Sequence, residues 1–205
     1  YQPTLYAQYL TDGHGHALTE QQVSRILDLM ESYTKTHQSG SAALAERVDK
    51  AINPRGEIEW DNGERRYLPS KRAPKKILEF VQYARAQLPR DPGARRQRRP
   101  FAEFGYTNNA KKRLGDHSSH RGSTYIMNLI EAVCAAHYDQ YRMRQFVVYK
   151  IWHVQQASIG EALLSRIGAG YISSGYGLNH TPAGLSNQSA KKLEANNWEP
   201  YNDHA

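Results

Sequence analysis

The chain has 205 residues, 39% of them hydrophobic and 23% charged, with a formal net charge of +7. That length suits one ordinary domain or a small core with an added subdomain, and the composition is that of a globular protein on the polar side. No apolar run approaches the roughly 20 residues that span a bilayer, which excludes a transmembrane helix, and the single cysteine, Cys134, excludes an intramolecular disulfide and any cysteine-based zinc site.

Residues 1–89 read as a helical N-terminal region. Thr19-Glu-Gln-Gln22 has the form of a capping box, after which Val23, Ile26, Leu27 and Met30 recur at helical spacing. Gly40-Ser41 breaks the pattern, and a short second helix over Ala42–Val48 ends before Asn53-Pro54. Asp61-Asn-Gly63 predicts a hairpin turn flanked by Ile58, Trp60 and Tyr67. A third helix fits Lys75–Leu88, with Ile77, Leu78, Val81 and Ala84 inward and Pro89 closing it.

Residues 90–99, Arg-Asp-Pro-Gly-Ala-Arg-Arg-Gln-Arg-Arg, read as a basic linker or loop. Pro and Gly oppose regular structure there and the charge resists burial. A loop that orders on a phosphate backbone, a solvated linker and a nuclear-import-type segment are all open at this point. Residues 100–184 then read as an α+β core. Strand Phe101–Tyr106 is followed by helices Asn108–His117 and Ser123–Tyr138, strand Gln145–Trp152 and helix Ile159–Ile172. Cys134 falls on an apolar helical face, as a buried thiol would. Residues 185–205 form a polar tail.

The positive charge is concentrated. Arg95, Arg96, Arg98, Arg99, Lys111, Lys112, Arg113 and Arg121 are opposed in their window only by Glu103 and Asp116. Such a field favours a polyanionic partner, nucleic acid first, or else forms a solvated basic surface. The start at Tyr1 fits either a trimmed chain or a mature form left after leader removal. With the glycosylation-type triplets at Asn179 and Asn187 it points towards secretion, nuclear and cytoplasmic locations remaining as alternatives.

The densest motif is Gly105-Tyr-Thr-Asn-Asn-Ala-Lys-Lys-Arg-Leu-Gly-Asp-His117, following Pro100-Phe-Ala-Glu-Phe104. A strand breaks into a polar turn whose Thr107, Asn108 and Asn109 can cap a short basic helix, and Arg113 and His117 project from one face of that helix. This stretch resembles the second half of the signature of GIY-YIG endonucleases, densely over about a dozen residues and more loosely as far as Asn179. The resemblance implies a small sheet flanked by helices and metal-dependent phosphodiester hydrolysis with Mg2+ or Mn2+.

Carried over residue by residue, the resemblance implies that Arg113 stabilises charge on the phosphate and that His117 positions water or phosphate. Asn179, in Gly175-Tyr-Gly-Leu-Asn179, would fix the active-site loop, and Gly105 is counted with that loop. The family carboxylate would stand at Ser165 or Arg166, so Glu161, one turn earlier, is the candidate metal ligand; Ser158-x-x-Glu161 reads equally as a capping box. Glu103 occupies the place of a family tyrosine and is an alternative ligand. Tyr106 is the neighbouring catalytic candidate, one step out of phase on the strand, and Tyr67 a candidate for a first strand.

Lys111, Lys112, Arg121 and the 95–99 arginines would touch the nucleic-acid backbone rather than bases, with DNA favoured over RNA. The alternative is a scaffold that has lost catalysis and binds nucleic acid or a protein partner, as a secreted effector would. His14-Gly-His16 and Asp116-His117 with His120 are weaker metal-type spacings. No phosphate-binding Gly-Lys-Ser/Thr loop, dinucleotide fingerprint or Gly-x-Ser-x-Gly elbow is present.

Overall fold

The first element is a strand. In the computed structural model, which describes residues 3–35, 39–52, 65–180 and 182–184, Thr4–Thr11 forms β1, inside the region read as helical. The reason it escaped a pattern reading is physical. All but one of its residues are buried, so the alternation that marks a half-exposed strand is missing. Three helices follow: α1 (Glu20–Thr34), α2 (Ser39–Lys50) and α3 (Ala73–Arg85). The expected hairpin turn at Asp61-Asn-Gly63 and the tail from 185 lie outside the described residues.

Next come β2 (Ala102–Thr107), α4 (Ala110–Ser118), α5 (Tyr125–His137), β3 (Arg142–Lys150) and α6 (Val154–Ile167), with a 3-10 turn at Ile172–Ser174. The three strands make one antiparallel sheet in the order β2-β1-β3, an α+β arrangement with β1 at the centre. Tyr6 faces Gly105 on one side and Val147 on the other; Gln8 faces Glu103 and Gln145.

Local chemistry sets the helix starts. Thr19 Oγ1 accepts from the Gln22 amide (3.2 Å) and Gln22 Oε1 from the Thr19 amide (2.9 Å), the expected capping box. Asn109 Oδ1 caps α4 by accepting from the Lys112 amide (3.0 Å). The α6 start differs from its expected place. Gln156 Oε1 accepts from the Trp152 and His153 amides (2.8 and 3.1 Å), so the helix begins at Val154 and Ser158 lies within it. Glu161 is therefore not a capping residue.

Two layers cover the sheet. On one face Leu10 and Met143 join Val23, Ile26, Leu27 and Met30 of α1, Ile77 and Phe80 of α3, and Met127 and Ile130 of α5 in one cluster. Each such side chain stabilises the fold by about 1.5–3 kcal/mol through burial. On the other face α6 packs on Leu5, Ala7, Phe104 and Tyr106.

Residues on both sides of the 90–99 stretch thus share one core. The stretch itself is stitched to the start of α1: the Glu20 amide donates to the Arg95 carbonyl (2.9 Å), and the Gln97 amide to the Leu18 carbonyl (2.9 Å). It is a loop within the core unit, not a tether between two.

Candidate functional site

Four side chains from β1, α4 and the turn before α5 meet on the α4 side of the sheet. Tyr6 Oη lies 3.2 Å from His117 Nε2 and 3.4 Å from Arg113 Nε. His117 Nδ1 lies 2.8 Å from Ser123 Oγ, and Arg113 also donates to the Gly122 carbonyl (2.9 Å). An arginine can only donate, so the Tyr6 oxygen accepts from Arg113 and its proton is left for His117 Nε2. His117 then carries its own proton on Nδ1, facing Ser123. The result is an aligned path, Arg113 to Tyr6 to His117 to Ser123.

Burial sets the charge states along this path. The His117 imidazole is held down to about 3 by desolvation, with Arg113 and His120 adding to it, so it is neutral near pH 7. The Tyr6 phenol is held well above its ordinary value, first by burial and then by Glu103, with Arg113 pulling the other way. Arg113 itself is only partly buried and keeps an edge towards solvent.

Glu103 lies beneath this path. Gln8 Nε2 donates to Glu103 Oε2 (2.5 Å), and Gln145 Nε2 donates both to Gln8 Oε1 and to the Leu114 carbonyl (3.0 Å each). The row runs across all three strands. Burial pushes the Glu103 carboxyl up to about 7, against the pull of Arg113 and the Gln8 bond. His117 Nδ1 is 3.7 Å from it, and with the imidazole neutral this approach is not an ion pair.

The two candidate metal carboxylates differ. Among the described residues, no three His, Cys, Asp or Glu side chains group so as to hold a metal ion. Mg2+ needs fewer protein ligands, since it keeps waters and takes one or two carboxylates together with substrate phosphate. Glu161 is the carboxylate the resemblance puts forward for that role; it is buried on α6. Glu161 Oε2 accepts from the Gly184 amide (3.0 Å), and its charge raises the proton affinity of both Tyr6 and Glu103. Glu103 fits poorly, because a carboxyl pushed up to about 7 and held by Gln8 is a weak ligand for a hard cation.

Asn179 clamps the strand that carries Gly105. Its Oδ1 accepts from the Phe104 amide (3.0 Å) and its Nδ2 donates to the Phe104 carbonyl (2.6 Å). Next to it the Leu178 amide donates to the Ala102 carbonyl (2.8 Å) and the Ala102 amide to the Tyr176 carbonyl (3.0 Å). The segment 176–179 so closes the open edge of β2.

Other expected residues fall elsewhere. Tyr106 points to the opposite face of the sheet, with Leu5, Ile151 and Ala157, away from Tyr6 and His117. Tyr67 is in no strand; its hydroxyl meets His120 Nδ1 (2.9 Å), and His120 Nε2 meets Glu131 Oε2 (3.1 Å). That buried chain holds the turn carrying Gly122 and Ser123. Lys111, Lys112 and Arg121 are exposed around α4, beyond the end of β2, and Arg95, Arg96, Arg98 and Arg99 are exposed before its start. Tyr6, Gln8 and Ser123 are the site residues that sequence reasoning missed. For Tyr6 the available signal was the Leu, Tyr and Thr-rich run Thr4–Thr11 between Pro3 and Gly13.

Compared with protein-family models, with curated proteins and with solved structures, the chain matches none.

Proposed function

We propose that the chain is a nuclease of GIY-YIG type that hydrolyses phosphodiester bonds. The observation that carries this reading is the convergence of Tyr6, Arg113 and His117 at the end of a strand clamped by Asn179. Tyr6 supplies the first-strand tyrosine that the resemblance asks for, with α1–α3 inserted between the two strands. Arg113 binds two phosphate oxygens at once and stabilises the charge that develops on the phosphorus centre. Tyr6 Oη, held between Arg113 and His117, hydrogen-bonds the attacking water and orients it towards the phosphorus. Glu161 is the residue that would hold Mg2+ or Mn2+, which supplies electrostatic relief at the scissile phosphate. Lys111, Lys112 and Arg121 track the backbone of the bound strand, DNA before RNA.

The test is incubation of the pure protein with plasmid DNA and with structured RNA, with and without Mg2+ or Mn2+, beside Arg113→Ala. Metal-dependent cutting lost in the variant is the expected result; no cutting with any metal overturns it. One observation favours a second reading, a scaffold that binds without cutting. Glu103, a buried carboxyl raised to about 7, stands where the resemblance asks for a tyrosine. Binding that weakens steeply with salt, without cleavage, would mark that reading.

A further inference from the structure

At the end of β2 remote from α4, a cavity of about 560 Å3 opens between the 95–100 loop, the residues after α3 and the turn after α6. Arg95, Arg96, Gln97, Arg98, Arg99 and Tyr176 line it. Two of the guanidiniums have carboxylate neighbours: Arg95 Nε is 3.9 Å from Glu20 Oε1, and Arg96 is 3.5 Å from Asp12 Oδ2. Arg98 and Arg99 make no ion pair among the described residues. Gln97 is held beside them, its Oε1 accepting from the Tyr176 hydroxyl (2.9 Å).

We propose that this cavity binds a phosphate monoester, carried either by a free mononucleotide or by the phosphorylated end of a nucleic-acid strand. The charge count selects this class. A monoester carries close to two negative charges near neutral pH, matching the two guanidiniums without carboxylate partners. Arginine suits phosphate through paired N–H donors. The far wall is the C-terminal end of α6, the negative pole of its dipole, which the arginines outweigh. The carbonyls of Leu164, Ser165 and Arg166 at the end of α6 are taken by the amides of Gly168, Gly170 and Ala169, and the Ala169 carbonyl by the Ser174 hydroxyl. Glu20, the acidic side chain in the lining, is held by the Gly93 amide (3.1 Å) and Arg95. This binding needs no cleavage and does not depend on the nuclease reading.

The test is titration of the whole protein in metal-free buffer containing a chelator, so that no probe is cut. The probes are adenosine monophosphate, inorganic phosphate, and one short DNA oligonucleotide with either a 5′-phosphate or a 5′-hydroxyl. The expected result is saturable binding of adenosine monophosphate, or a preference of about tenfold for the phosphorylated oligonucleotide over its hydroxyl form. The first identifies a free nucleotide as the source, the second a strand end. The Arg98→Ala/Arg99→Ala variant, its melting temperature checked against the parent, should erase either signal. Binding of inorganic phosphate alone, equal binding of the two oligonucleotides without nucleotide binding, or a signal unchanged in the double variant overturns the proposal.

Discussion

Gly105 sits directly opposite Tyr6 in the β1–β2 ladder, and the space a Cβ on Gly105 would fill is occupied by the Tyr6 phenol. The missing side chain on one strand is what lets the tyrosine of the other lie across the sheet and reach His117. Gly105→Ala should therefore lower stability by about 1–3 kcal/mol through overpacking, read by urea unfolding. It should also depress cleavage beyond what the lost stability explains, since Tyr6 must move. A variant with parental stability and activity would mean that the ring yields freely.

Arg113 is braced by an exposed carbonyl and a tyrosine rather than by the core. Arg113→Ala should lower cleavage by at least about 100-fold, the scale seen when a charge-stabilising donor is removed, with little change in melting temperature. Arg113→Lys should recover only a small part, because an ammonium cannot make two parallel bonds to phosphate. A large drop in melting temperature for the alanine variant would make Arg113 a structural residue.

Asn179 satisfies both the amide and the carbonyl of Phe104, on the otherwise open side of β2. Asn179→Ala leaves both without partners and should cost roughly 1–3 kcal/mol. Asn179→Asp keeps an acceptor for the amide but brings a charge against the Phe104 carbonyl, and should be no better. Hydrogen exchange at the Phe104 amide is the direct readout, with faster exchange expected in both variants.

Glu103 and His117 make stability depend on pH in opposite senses. The Glu103 carboxyl is raised to about 7 from its ordinary 4.5. Its native form therefore binds more protons than the unfolded one in that interval, and its contribution falls as pH rises from about 4.5 to 7. For His117, lowered to about 3 from 6.5, the contribution is present above 6.5 and is lost as pH falls towards 3. Glu103→Gln should thus gain stability relative to the parent above pH 7, by up to about 3 kcal/mol, with the difference shrinking towards pH 4. Thermal melts across that range decide it; a parallel pair of curves would show that Glu103 does not titrate in the native window.

What the sequence makes legible is mostly what is settled within a few residues. The Thr19–Gln22 box and the Asn109 cap are short-range bonds between neighbours; the first start was read as it stands, the second to within the run Thr107–Asn109. Arg113 and His117 share a face because they share a helix. β1 was invisible for the opposite reason: its two buried faces remove the alternating pattern, and its partners are far away in the chain. Ser158-x-x-Glu161 misled because it imitates a helix start while the real one is made by Gln156. Tyr106 against Tyr6 is a question of which side of a strand faces the helix α4, and that needs the register, not the residues.

The central strand also sets a schedule. Gln8 of β1 binds Glu103, 95 residues on, and Gln145, 137 residues on. At roughly 5–20 residues per second of synthesis, β1 waits about 7–27 seconds for the second of these neighbours. During that interval Leu5, Tyr6, Tyr9 and Leu10 have no sheet to join, and a chain whose key pairings are this distant folds slowly once complete. Tyr6 is made well before either neighbouring strand, yet it gains its place between β2 and β3 only after both exist.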